Sequence, residues 1–80
     1  MEKEVFTVRL KTVSDVKDVV NAALKMPADV KAGEGQYVVD AKSIMGMLSL
    51  NLSNPVKLSW KCEPSDKRDA FVKVLDSFRV

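Results

Sequence analysis

The chain has no histidine, a single cysteine and only 6% aromatic residues. Without an imidazole it lacks the one side chain whose ordinary pKa lies near neutrality, which excludes most acid–base catalysis, phosphohistidine chemistry and the usual zinc sites. No enzyme, catalytic residue, metal or cofactor is expected. Cys62 has no second cysteine with which to close an internal disulfide. No apolar stretch approaches the ~18 residues of a membrane helix, and the opening MEKEVF lacks the basic-then-apolar pattern of an export signal. A cytoplasmic protein with no membrane partner is therefore expected. Large charge is missing too: 13 basic against 11 acidic residues leave a net charge of +2. That balance gives no case for a nucleic-acid partner.

What is present is the composition of a small globular domain. With 80 residues, 46% hydrophobic and 30% charged, residues 1–80 are expected to form one monomeric domain around one core. Residues 4–10 alternate, with Phe6, Val8 and Leu10 on one face, as a half-buried strand requires. Ser14 is placed to cap a helix through about Lys25, with Asp15 and Asp18 in its first turn and Val16, Val19, Val20, Ala23 and Leu24 on one stripe. A hairpin follows, in which Ala28, Val30 and Ala32 alternate, Gly33-Glu34-Gly35 turns, and Tyr37, Val39 and Ala41 alternate again. Val56, Leu58, Trp60 and Cys62 share one face of a strand that Pro64 stops, with Cys62 expected to be buried and inert. Ser65 or Asp66 then caps a last helix with Phe71, Val74, Leu75 and Phe78 inward and Lys67, Arg68, Asp69, Lys73 and Asp76 toward water. The order is β-α-β-β-α-β-α. Four one-faced strands and three striped helices predict an α+β two-layer sandwich with its other sheet face wet, carrying Arg9, Asp29, Lys31, Asp40, Lys57 and Lys61.

The segment AKSIMGMLSLNLSNP carries the functional information. Ser43 is placed to cap a short helix ending between Asn51 and Asn54. Its apolar residues Ile44, Met45, Met47, Leu48, Leu50 and Leu52 are spread around the helix rather than held to one stripe. A helix lying on a sheet buries about half its circumference, so some of these side chains must face solvent. Exposed apolar side chains that include adaptable methionines mark a contact surface for another protein. The plainer account of Met45 and Met47 is gap-filling in a small core. A phosphate on Ser43 would add about two negative charges beside such a surface and change what docks there.

The run Lys42-Ser43-Ile44-Met45-Gly46-Met47-Leu48-Ser49-Leu50 closely resembles the second-helix segment of HPr, the phosphocarrier of the bacterial sugar phosphotransferase system, and the element order extends the likeness over nearly the whole chain. The resemblance implies an open-faced sandwich of four antiparallel strands with three helices on one side. It implies that Ser43 corresponds to the family's site for an ATP-dependent serine kinase. It also implies that Ile44, Met45 and Leu48 correspond to residues that dock Enzyme I, sugar permease domains and a transcription regulator. The family's phosphate-carrying histidine, followed by Ala-Arg-Pro, has no counterpart. The loop reads Leu10-Lys11-Thr12-Val13-Ser14-Asp15, with Thr12 nearest the histidine position. A threonine ester is too stable to pass phosphate onward.

The expectation is an HPr-like regulatory or adaptor module that is not a phosphohistidine carrier. Its partner surface comprises Lys42, Ile44, Met45, Met47 and Leu48, and Ser43 is its phosphorylation candidate. The competing account is a structural or vestigial interaction module without phosphorylation. An RNA- or small-ligand-binding α+β domain is weaker, because the outward strand residues Val5, Thr7, Arg9, Val38 and Asp40 include no aromatic ring for base stacking.

Overall fold

A computed structural model describes residues 2–80. The elements are β1 (Lys3–Val8), α1 (Val13–Leu24), β2 (Val30–Glu34), β3 (Tyr37–Asp40), α2 (Ile44–Leu48), β4 (Val56–Lys61) and α3 (Asp66–Asp76). The four strands form one antiparallel sheet in the order β1-β4-β2-β3, and the fold class is α+β as expected. Strand alternation sends Val8, Val30, Ala32, Val56, Leu58 and Trp60 to the inner face. There they join Val16, Val19, Val20 and Ala23 of α1, Met47 of α2, and Phe71 and Leu75 of α3 in one apolar cluster. The opposite sheet face is open. Its Lys31, Lys57 and Lys61 are exposed, as the alternation predicts.

Both ends of α1 differ from the sequence expectation. The N-cap is Thr12, two residues before Ser14, because Thr12 and Asp15 form a reciprocal capping box: the Asp15 amide donates to Thr12 Oγ1 at 3.1 Å and the Thr12 amide to Asp15 Oδ2 at 3.2 Å. A Thr-x-x-Asp spacing carries this signal, and it outweighs a lone serine because two orphan amide donors are satisfied at once. Lys25 is the C-cap rather than a last-turn residue. β1 stops at Val8, although buried Leu10 still serves the core. α2 ends at Leu48, well short of Asn51, where Ser49 turns back on the helix: its amide and its hydroxyl both donate to the Gly46 carbonyl, at 3.1 and 2.6 Å. Cys62 is half-buried against the core rather than sealed within it.

Gly35 closes the β2–β3 hairpin with φ at +63°, the left-handed conformation that glycine adopts without steric cost. The outer edge of β1 is partly covered by the C-terminal residues. Val8 bridges to Arg79, the Arg9 amide donates to the Phe78 carbonyl at 2.8 Å, and the Arg79 guanidinium lies 4.6 Å from the centre of the Phe6 ring. Such cover removes free backbone groups that would otherwise pair with another chain.

Arg68, expected in water, instead reaches the Glu4 carboxylate, joining α3 to β1. Glu4 also accepts from Trp60 Nε1 at 2.8 Å, and Trp60 meets Phe71 edge to face with ring centroids 5.1 Å apart. The Arg68 hydrogen bonds, more than the one from Trp60, hold the Glu4 carboxyl below its ordinary pKa of 4.5. A carboxyl depressed in the folded state stabilises fully above its unfolded pKa, and that contribution is lost as pH falls through the folded value. Glu4→Gln is therefore expected to lower the thermal midpoint by a constant amount at neutral pH and by progressively less below pH 4.5. Thermal melts of both proteins across this range check it, and a gap independent of pH would refute the linkage.

Candidate functional site

The site is built on α2 and the loop that enters it. Ser43 is in extended conformation and its Oγ accepts from the Gly46 amide at 3.2 Å, so the serine is the helix cap that its position predicted. The Lys42 ammonium donates to the Met26 carbonyl at 3.1 Å, tying the start of α2 to the end of α1. At the other end, the Tyr37 and Ser49 hydroxyls lie 3.1 Å apart, tying α2 to β3. Gly46 allows the close approach between these ties. A Cβ there would meet Val39 Cβ at 3.4 Å and the Asp40 carbonyl oxygen at 3.5 Å.

These ties set the rotation of the helix. At about 100° per residue, Ile44, Leu48 and Met45 fall within an arc of roughly 100°, while Gly46 and Met47 lie on the opposite side. The exposures follow this geometry: Met45 is 76% and Leu48 41% exposed, and Ile44 is half-buried. Met47, expected on the partner surface, is 0% exposed and belongs to the core beneath it. The correction has a simple cause. Two residues of helix reverse direction, so Met45 and Met47 cannot share a face once Gly46 is pressed on β3. Leu24, expected on the apolar stripe of α1 with Val16, Val19, Val20 and Ala23, is instead 58% exposed at the end of α1 that Lys42 reaches. Its place at the margin of the α1 stripe was the available signal.

The loop before α1 holds Thr12, whose hydroxyl is already an acceptor for the Asp15 amide. The Asp15 carboxylate in turn accepts from the Lys11 amide at 2.9 Å and the Thr12 amide at 3.2 Å. The Lys11 amide above all holds the Asp15 carboxyl below its ordinary range, which makes it a weak proton acceptor. Ser43, Lys42, Ile44, Met45 and Leu48 are thus brought together around α2, while Thr12 and Asp15 stand apart as a helix cap.

A four-stranded antiparallel sheet, open on one side and backed on the other by three helices, defines a class of small α+β proteins, and here apolar side chains of α2 are left in solvent. A family model described as "PTS HPr component phosphorylation site" matches residues 15–79, and the chain belongs to that family, the HPr phosphocarrier proteins of the phosphotransferase system. The structure is similar to that of HPr-C-His from Thermoanaerobacter tengcongensis, with 29% identity, a TM-score of 0.74, and coverage of 96% of this chain and 93% of that one. It also shares its fold with a phosphocarrier protein HPr from Bacillus anthracis str. Ames, at 24% identity and a TM-score of 0.69 over 98% of this chain and 96% of that one. No curated protein sequence matches the chain. Among the described residues, no helix is long and apolar enough to cross a membrane.

Proposed function

We propose that this HPr-family protein does not carry phosphate on histidine and acts instead as a regulatory or adaptor module. It docks other proteins through Ile44, Met45 and Leu48, with Lys42 at the rim and Ser43 as the switch. The observation that carries the reading is the exposure of Met45 and Leu48 on a helix otherwise held to the sheet, in a chain with no histidine. Thr12 offers no substitute carrier. Its hydroxyl is engaged as the α1 cap, and the adjacent Asp15 is too weak a base to activate it. A phosphate on Ser43 would bring about two negative charges within one helical turn of Met45, and desolvating that charge would oppose apolar docking. The partners that fit are phosphotransferase-system proteins, a serine kinase or a transcription regulator.

The test has two arms read by intact mass. Incubation with Enzyme I and phosphoenolpyruvate is expected to add no phosphate. Incubation with an HPr serine kinase and ATP is expected to add one phosphate, which Ser43→Ala abolishes. Label arriving from phosphoenolpyruvate would overturn the loss of carrier function, and absence of label from ATP would remove the switch. Docking is checked by titrating Enzyme I: Leu48→Asp is expected to weaken binding by at least roughly tenfold, as a buried unpaired charge at an interface does. Equal affinity of the two proteins would remove α2 from the interface.

A further inference from the structure

The open face of the sheet, opposite α2, gathers four lysines. Register places Lys3 of β1 directly across from Lys61 of β4, Lys57 of β4 across from Gly33 of β2, and Lys31 of β2 across from Ser59 of β4. Lys57 and Lys61 stand on either side of Ser59 along one strand, about 13 Å apart at the rise of a β-strand. Among the described residues none of these four lysines forms an ion pair, whereas Arg68 and Arg79 are both paired with carboxylates. Like charges directly opposite one another destabilise a sheet. The acidic residues nearby are Asp40, across from Lys31 on β3, and Asp29, which shares a shallow depression with Lys3, Lys31 and Lys61.

Gly33 lies in the middle of this face, and the fold does not require a glycine there. Its φ is not positive, Gly35 being the one glycine in that region among the described residues. A Cβ at Gly33 would come no closer than 3.7 Å to the Tyr37 carbonyl oxygen and Val38 Cγ2, which is ordinary contact. Glycine inside a strand costs stability and marks places where another backbone approaches closely. Here it leaves a groove of about 300 Å³ walled by Lys3, Lys31, Lys57, Val5 and Val38. Val5 is 56% and Val38 61% exposed, so apolar walls alternate with ammonium groups.

We infer that this groove receives an extended acidic segment of a partner protein, its carboxylates meeting Lys3, Lys31 and Lys57 and its apolar side chains covering Val5 on one edge strand and Val38 on the other. Charge complementarity selects the occupant. A second copy of this face would set lysine against lysine, and a bare polyanion would leave both valines uncovered. This surface lies on the opposite side of the sheet from α2 and does not depend on the function proposed above.

The experiment follows backbone amides by nuclear magnetic resonance while the whole protein is titrated with the peptide Glu-Leu-Glu-Glu-Leu-Glu. Parallel titrations use Lys-Leu-Lys-Lys-Leu-Lys, an oligothymidylate and phosphatidylserine vesicles. Saturable shifts are expected at Gly33, Lys57 and Ser59 with the acidic peptide, weakening as salt rises. Affinity is expected to fall by at least roughly tenfold in the double variant K31E/K57E and comparably in Gly33→Leu, which fills the groove while keeping an ordinary backbone conformation. Far-ultraviolet dichroism and thermal midpoints confirm that each variant is folded, and unchanged affinity in either folded variant overturns the proposal. So does an absence of shifts at those three amides, or equal or tighter binding by the oligonucleotide or the vesicles.

Discussion

Alanine at Met47 is expected to cost about 2–5 kcal/mol of stability, while alanine at Met45 changes it by no more than about 0.5 kcal/mol. The two residues stand in the same five-residue helix, two positions apart, and composition does not distinguish them. Met47 is sealed between the sheet and α1, so truncation loses the transfer energy of the thioether and leaves a cavity. A chain of this length holds on the order of 4–12 kcal/mol in total, so the Met47 variant forfeits a large part of its folding free energy. Met45 touches mainly water and loses little. In Enzyme I titrations the order is expected to reverse, because Met45 is exposed and Met47 is not. Urea unfolding of both variants checks the first half. Similar denaturation midpoints for the two would mean that the rotation of α2 is misassigned.

The other large loss is expected at Trp60, where alanine costs about 3–5 kcal/mol. Three elements meet on this residue. Its ring stacks edge to face with Phe71 of α3, its indole N–H donates to Glu4 of β1, and its backbone pairs with both Glu4 and Val30. Truncation opens a void under α3 and leaves the Glu4–Arg68 pair without its third member. Trp60→Phe keeps much of the ring contact and removes only the donor, so it is expected to lose about 1–2 kcal/mol. Far-ultraviolet dichroism in urea gives both values without relying on the indole as probe. A Trp60→Ala cost below about 1 kcal/mol would show that the Trp60–Phe71 contact is not central to the core.

Legibility in the sequence followed the range of the interaction. Alternation alone places Val56, Leu58 and Trp60 inward, and all three are buried, because a period-two pattern needs no knowledge of the partner strand. Ser43 is expected as one cap and Ser65 or Asp66 as another; Ser43 and Ser65 each accept an amide three residues on, since a cap is satisfied within one turn. The Thr12–Asp15 box is equally local, but Ser14 is also a good cap and competes with it in the sequence.

By itself, then, the amino-acid order determined the period of each element, the resemblance to the HPr family and the absence of an imidazole to carry phosphate. Tertiary structure alone decided which methionine of α2 faces the core, which arginine reaches a carboxylate 64 positions away, and which lysines assemble around Gly33. Those outcomes depend on the strand order β1-β4-β2-β3, which places distant residues side by side. The contacts that select that order arise only when the chain has closed on itself, beyond the reach of any local pattern.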